Sequence, residues 1–598
     1  MSLQRADGAA TALLRLSTAC RRSAASATTR SGAWRMRILG RGLSSARSST
    51  DDGGAAAKRS KAGKLPDDAS VAVLGGGLTG LTTAYYLAKW LPATTKITLL
   101  EGGDRLGGWI RTDKVPVKVG GVEGVVNFER GPRSLSSLNK STWRFDDLVL
   151  WDLALDLGLK VVSPPDQPRY IYYPDHLVPL PPHTSLASFA SEPVVLESLW
   201  AGFGYVMRRL FSRKDGVPVQ DLSIADWIYH ITGSKAVAEN LASAMVHGIY
   251  GGDIYTLSAR SVLDRFYWVH YLPALGPNIR HMAISEQTFM EAMGQDPQIR
   301  KLAQQPRGAL LNFGETGMET LPIALGDALK GQANVEVKLN AKVTDIDYDS
   351  ETELIKITTG QKSSEKYHKV ISTLPSQHLA RITDDIPSLS SSRAVSIMTV
   401  NIWYPQTNLK PPGFGYLIPL SVPAEQNPER ALGVFFDSDV GVREADEPAG
   451  TKLFVLMGGH YYDSNKEHGS TVRVPSEEEA IQQAKAVLER HLGIPQSTPC
   501  FAMARLASEC IPQYNRGHQD TMAAADQELH DGFKGRLAVA GGSYTKIGAM
   551  GALRNGYDIA NTVARENWLT TGLEQLEFPT QFCGVPTERI PVRRFSRR

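Results

Sequence analysis

Cysteine is scarce in this chain. Cys20, Cys500, Cys510 and Cys583 are the four in 598 residues, and no two stand in a CxxC pair. That argues against a disulfide-stapled secreted fold. The 13 histidines show no HExxH or comparable ligand spacing, so no metal site is expected. No apolar run reaches the roughly 18 residues that a membrane span needs. Neither sign of charge dominates: 65 Lys and Arg against 62 Asp and Glu leave a net charge of +3, with the signs interspersed. A nucleic-acid partner, which wants a concentrated basic surface, is not expected. No internal repeat is present.

Acidic residues are missing from one place in particular. Residues 1–50 hold a single acid, Asp7, against nine arginines and many Ser, Thr and Ala. This is the composition of a mitochondrial presequence, which a disordered basic tail also shares. Residues 51–68 read as a flexible linker. Apolar residues are plentiful, at 42%. Since single cores stop growing at roughly 250–300 residues, two or three domains are expected.

Apolar periodicity then gives the elements. Ser70–Leu74 and Lys96–Glu101 read as buried strands flanking a helix at Leu78–Leu91, which makes a βαβ unit. From Trp143 to Ile299 the pattern is mainly helical. Strands return at Val335–Leu339, Lys342–Tyr348, Leu354–Thr358, Lys369–Thr373, Ser396–Trp403, Gly433–Asp437 and Lys452–Gly458. A helix at Ala480–Leu492, a strand at Arg536–Ala540 and a helix at Met550–Glu566 close the pattern.

The chemistry begins at Gly75-Gly76-Gly77-Leu78-Thr79-Gly80, a G-x-G-x-x-G set between strand and helix. The first glycine permits the tight turn, the second lets backbone approach a pyrophosphate, and the third lets helix pack on strand. The helix N-terminus offers free N–H groups and a positive dipole end. Glu101 ends the next strand, where a carboxylate accepts from ribose hydroxyls. Dinucleotide binding follows. Arg105-Leu106-Gly107-Gly108-Trp109 adds a second loop of close approach, with a guanidinium able to pair with phosphate. Ala540-Gly541-Gly542-Ser543, then Gly548, Gly551, Arg554 and Gly556, end a strand and open a helix. Together these resemble the FAD-dependent amine oxidase and phytoene desaturase superfamily.

Longer strings narrow the resemblance. Arg105–Thr112 (RLGGWIRT), Phe128–Leu135 (FERGPRSL), Arg169–Pro181, His247–Asp253 (HGIYGGD), Pro411–Pro419 (PPGFGYLIP), Val455–Tyr461 and Cys510–His518 are similar, in order, to the protoporphyrinogen oxidase family. That resemblance implies an α/β chain with a discontinuous Rossmann-like FAD domain, an inserted α+β substrate domain and a helical membrane-associating domain. This is the p-hydroxybenzoate hydroxylase-like, amine oxidase-like architecture. The segments are 69–145 with 320–375 and 500–570 for FAD, 146–180 with 376–499 for substrate, 181–319 for the helical domain, and 571–598 as a tail. FAD would lie on Gly75 to Gly80, Glu101, Gly102, Arg105, Gly108, Trp109, Gly131, Pro132, Arg133 and Ser134. Val343 would hold the adenine, and Ile547, Gly548 and Ala549 the flavin.

The implied substrate is protoporphyrinogen IX. Arg169 would bind a propionate, Phe414 would stack on a pyrrole beside Gly415 and Leu417, and Leu456 and Met457 would line the cavity. Gly248 would sit by the bridging carbon. The implied chemistry is oxygen-dependent, six-electron removal of hydrogen with release of hydrogen peroxide, and no protein base is named. A coproporphyrinogen-oxidising homologue and another amine oxidase or desaturase stay open as alternatives. Glu192–Lys214 puts Leu196, Leu199, Trp200, Phe203, Met207 and Leu210 on one face, with Arg208, Arg209, Arg213 and Lys214 following. That suits an anionic membrane surface, and equally a core helix. The resemblance favours the mitochondrial inner membrane, peripheral and facing the intermembrane space. It leaves room for a homodimer and a ferrochelatase contact.

Overall fold

A computed structural model describes residues 63–137, 144–180, 191–211, 216–314, 317–360, 363–441, 443–463, 472–574, 582–592 and 594–595. The expected presequence and all but the end of the linker lie outside these residues. Leu65, within the expected linker, is already buried in a core.

Five parallel strands form the first sheet, in the order Val335–Lys338, Lys96–Leu100, Ser70–Leu74, Lys369–Ser372, Leu537–Val539. Strand residues alternate between two cores, as a pleated sheet covered on both faces requires. Val71 and Val73 point into one core with helices Leu78–Trp90, Thr320–Lys330 and Ala549–Asn561. Ala72 and Leu74 point into the other, under the meander Val343–Asp349, Leu354–Thr359, Ser364–Tyr367 and helix His518–Phe533.

The second sheet has seven strands, in the order Phe501–Gln513, Arg393–Tyr404, Thr451–Gly458, Ala431–Phe435, Gly415–Leu417, Arg169–Tyr172, Leu177–Pro179. All its pairings are antiparallel except Gly415–Leu417 with Arg169–Tyr172. Helix Glu477–Leu492 packs on one face. It starts before the expected Ala480 because Ser476 and Glu479 cap each other reciprocally, and it ends on Gly493 at φ 70°. A third core joins helices Pro193–Phe211, Ile224–Thr232, Ser243–Tyr250 and Asp264–Tyr271. Among the described residues, no helix is long and apolar enough to cross a membrane.

The structure redraws several expected boundaries. Residues 501–513 pair with Arg393–Tyr404 and belong to the second sheet, not to the dinucleotide half. Helix Asp147–Asp156 packs in the first core, leaving only 169–179 of segment 146–180 in the second sheet. Helices Ile284–Met293 and Pro297–Ala303 also enter the first core rather than a separate helical unit. The expected tail returns: Phe582–Pro586 pairs with Ile279–Ala283, and Arg594–Phe595 with Pro306–Arg307. The run 143–299 is broken by strands, and Trp143 lies outside the described residues. Each difference is a pairing between distant segments, which local periodicity does not report.

Lys369 tests the first sheet. It is fully buried, with Nζ donating to Gly535 O at 2.7 Å and Thr570 O at 2.6 Å. Burial pushes its pKa down to about 7, against the pull of Glu574. In the unfolded chain it titrates near ~10.4, so between these values the unfolded state binds more protons and folding stability rises with pH. Relative to Lys369→Met, the parent protein should gain about 2 kcal/mol between about pH 7 and 9 in denaturant titrations. Parallel stability curves for the two proteins would refute this.

Candidate functional site

The glycine turn is built by backbone contacts. Gly75 has φ +99° and its N–H donates to Leu100 O at 2.8 Å. A Cβ on Gly80 would overlap Gly75 O, so helix and turn touch there. Around Gly77, by contrast, an added Cβ meets nothing within 4 Å. Helix Leu78–Trp90 starts at Gly77 with no side-chain cap, so its first N–H donors face open space. The site therefore keeps a cradle that a side chain would fill.

Glu101 has two tasks. Its Oε2 accepts from Gly76 N–H at 2.7 Å and its Oε1 from Gly103 N–H at 2.7 Å, and it lines the cavity. It thus ties the turn to the next loop while keeping acceptor capacity toward the cleft. Arg105 differs from the phosphate partner expected of it. Its guanidinium donates to Leu106 O at 2.9 Å, Ile110 O at 3.1 Å and Gly108 O at 2.6 Å, and stands 3.7 Å from Glu319. It staples the Gly107–Gly108 bend from behind.

Gly131 is pressed on Trp109, where a Cβ would overlap the carbonyl oxygen. Arg133 then turns inward. Its Nε donates to Asp437 at 2.8 and 2.9 Å, Nη1 to Gly131 O at 2.7 Å, and Nη2 to Glu129 O at 2.8 Å and Asn401 Oδ1 at 3.1 Å. Burial pushes the Asp437 carboxyl up and the Arg133 guanidinium down, each opposed by the other's charge. Glu129 beside them is pushed up by burial to about 7, despite hydrogen bonds from Met318 and Thr112.

The C-terminal turn mirrors the first. Gly548 has φ +95° and open space around an added Cβ, and helix Ala549–Asn561 starts on it with no side-chain cap. Beneath this helix lies a charge cluster that sequence reading missed. Arg554 reaches Asp558 at 2.6 Å, Glu286 at 3.1 Å and Asp146 at 3.5 Å, and Lys546 lies 3.4 Å from Asp558. Burial would raise the Glu286 carboxyl, but Arg554 and Lys546 bring it down to about 2. The available signal was the Arg554–Asp558 spacing of four.

The other wall comes from the second sheet. Arg169 pairs with Gly415 across parallel strands, and its guanidinium stands 5.1 Å from the Phe414 ring centroid. Phe414 meets Phe435 edge-on at 5.2 Å. Gly415 has φ +133°, and a Cβ there would overlap Val434 O. Gly248, on helix Ser243–Tyr250, faces Leu417, whose side chain a Cβ would overlap. Leu456 faces the cavity, whereas Met457 points to the opposite face and is core, correcting its expected place.

Both walls enclose one cavity of about 1360 Å³. Gly75, Gly77, Leu78, Thr79, Glu101, Gly108, Trp109, Gly131 to Ser134, Ile547 to Ala549, Arg169, Gly248, Phe414, Gly415, Leu417 and Leu456 all line it. Gly76, Gly80, Gly102, Arg105 and Val343 stand behind the lining. Val343 begins the strand next to Ala341, whose N–H donates to Glu101 O at 2.8 Å. Asp526, His530 and Glu574 also converge, off the cavity, but their carboxylates already accept from Thr571 and Thr570.

Comparison with known proteins agrees with this geometry. Residues 78–564 match the flavin containing amine oxidoreductase family model. The chain is 30% identical over 514 residues to protoporphyrinogen oxidase of Schizosaccharomyces pombe, covering 83% of this chain and 98% of that one. It is 28% identical over 515 residues to the Homo sapiens protoporphyrinogen oxidase, with the same coverages of 83% and 98%. A solved putative protoporphyrinogen oxidase from Exiguobacterium sp. 255-15 shares the fold at TM-score 0.61 and 21% identity, over 84% of this chain and 99% of that one. Cyclohexylamine oxidase from Brevibacterium oxydans shares it at TM-score 0.53 and 16% identity, over 83% and 99%.

Two glycines separate cradle from scaffold. Gly77→Ala should purify with little flavin yet match the flavin-stripped parent in thermal stability, because its methyl enters only the open cradle. Gly80→Ala should lose stability by about 2 kcal/mol or more, because its methyl overlaps backbone. Melting curves and bound-flavin absorbance on the two variants read this, and equal flavin contents would refute it.

Proposed function

Because the chain belongs to the flavin-containing amine oxidoreductase family, we propose that it is an oxygen-dependent protoporphyrinogen oxidase, converting protoporphyrinogen IX to protoporphyrin IX. The observation that carries this reading is the single cavity. It joins two uncapped helix N-termini to an aromatic wall bearing Arg169. FAD is the cofactor, and when bound it supplies a two-electron acceptor that oxygen regenerates as hydrogen peroxide. Three rounds remove six hydrogens from the substrate and consume three O2.

The chain's own residues bind and orient. Gly75 to Thr79 and Glu101 hold the dinucleotide, Gly131 to Ser134 and Ile547 to Ala549 the flavin end. Arg169 pairs with a propionate, whose burial without a partner costs several kcal/mol. Phe414 offers a face for a pyrrole ring. The product is aromatic, which supplies driving force without a strong protein base. An Arg in the wall suits an acidic tetrapyrrole better than an amine.

The helix Pro193–Phe211 supports a membrane-bound form. Leu196, Leu199, Trp200, Phe203, Leu210 and Phe211 are exposed, Trp200 at 72% and Phe211 at 80%, beside exposed Arg208 and Arg209. Apolar side chains with cations at one end fit an anionic bilayer surface. The same cavity extends to Tyr205, Trp227 and Ile228 beneath this helix, so a lipophilic substrate enters from the membrane side. The arginine-rich first 50 residues support a mitochondrial location.

Two measurements test these assignments. Anaerobic addition of protoporphyrinogen IX should bleach the flavin of the parent protein. Arg169→Ala should raise KM by roughly 30-fold or more with flavin content unchanged; loss of flavin instead would move Arg169 to the cofactor. Trp200→Ser with Phe203→Ser and Phe211→Ser should release the protein from anionic vesicles in a flotation assay without lowering activity in detergent. Undiminished flotation would remove the helix from the membrane contact.

A further inference from the structure

His247 stands one residue before Gly248 in the cavity wall, only 2% exposed. Its Nδ1 lies 2.8 Å from Ile418 O. A carbonyl only accepts, so Nδ1 carries the hydrogen and, in the neutral ring, Nε2 carries the lone pair. The partner of Nε2 is His460 Nε2 at 3.1 Å, which must then donate. Two buried imidazoles thus form a directed chain, His460 to His247 to the carbonyl of Ile418. Burial holds His247 down at about 4, so this imidazole stays neutral near pH 7.

The same contact is tied at two further places. One helical turn earlier, Ser243 Oγ accepts from Leu420 N–H at 2.9 Å. At the far end, His460 N–H donates to Gly251 O at 2.7 Å. Gly459 allows this approach, since a Cβ on it would overlap Gly251 O. Helix Ser243–Tyr250 is therefore latched to residues 418–420 along one face, and behind to the 458–460 turn. Between the ties, Gly248 is pressed on Leu417, and both line the cavity.

We propose that His247, backed by His460, is a positioning residue for the tetrapyrrole: it fixes the Gly248 backbone against Leu417 and so sets where the macrocycle rests. This rests on the porphyrinogen reading above. The pair acts through Gly248 and Leu417 and takes no part in bond breaking. Both ring nitrogens of His247 are occupied by protein partners, which suits holding rather than proton transfer.

Four proteins decide it, each purified with flavin and assayed on protoporphyrinogen IX. In His247→Asn the amide nitrogen replaces Nδ1 as donor to Ile418 O while the bond from His460 is lost, so KM should rise only modestly, by about threefold. His460→Phe likewise keeps the Ile418 bond and loses the backing, so its KM should match that of His247→Asn. His247→Phe removes both bonds and should raise KM by about tenfold or more with kcat within about threefold. If His247→Phe fails to retain flavin, an equal modest rise of KM over the parent in His247→Asn and His460→Phe still carries the test. A KM unmoved across the series, or kcat falling alone, would overturn the proposal. A parent protein whose flavin is not bleached by the porphyrinogen would overturn the functional reading instead.

Discussion

Two helices of this chain cross with a glycine at the contact, and the cavity depends on that crossing. Gly556 of Ala549–Asn561 lies against Leu78–Trp90, where a Cβ would stand 2.7 Å from both Thr79 O and the Thr82 Cβ. Any side chain there would push the helices apart. Their approach brings both N-termini, at Gly77 and Gly548, to one wall. Neither start carries a side-chain cap, so each leaves backbone donors and a positive dipole end facing the cavity. The parallel sheet makes this possible by placing Ser70–Leu74 and Leu537–Val539 on either side of Lys369–Ser372. A ligand with phosphates at one end and an electron-poor ring at the other is what such a pair of helix ends can hold.

Buried charge fixes distant segments of the chain relative to each other. Arg133 leaves the dinucleotide side and meets Asn401 of the second sheet and Asp437, just beyond its strand Ala431–Phe435. Arg554 joins helix Ala549–Asn561 to Glu286 and to Asp146. Burying such groups costs several kcal/mol per ion, and hydrophobic replacements of equal volume often match their stability. What they add is direction: each guanidinium donates along fixed lines to partners on different segments. Arg133 thereby holds the dinucleotide side to the substrate wall, and Arg554 ties together segments of the first core.

How much of this was legible in the sequence depended on the range of the interaction. The βαβ unit was readable to within a residue, because strand, turn and helix are consecutive and each carries its own period. Gly75, Gly77 and Gly80 announced their backbone tasks directly. Arg105 was legible as important, but its partners are carbonyls of its own loop, which residue type alone does not reveal. Phe501–Gln513 was assigned to the wrong half because its pairing partner lies a hundred residues earlier. Met457 failed by one residue, since the face of a strand is set by register. Beyond the Arg554–Asp558 spacing, the Arg554 cluster and the His247–His460 pair were invisible for the same reason: their other members come from separated segments and meet only in the fold.

The arrangement also divides labour within the cavity. Attraction between Arg169 and a carboxylate falls off gradually with distance and tolerates a side chain that swings. Hydrogen transfer does not tolerate this, since a displacement of about 1 Å at the reacting centre can cost on the order of a hundredfold in rate. In the proposed reading, the charged group therefore belongs at the periphery of the macrocycle and the stiff contact beneath it. That is how the residues fall. Arg169 projects from a short strand near the sheet edge, whereas Gly248 and Leu417 are backed by a helix, a strand exit and two imidazoles that cannot rotate without losing a bond. In the proposed reading, capture and placement thus fall to different elements of one wall, and only the second needs rigidity.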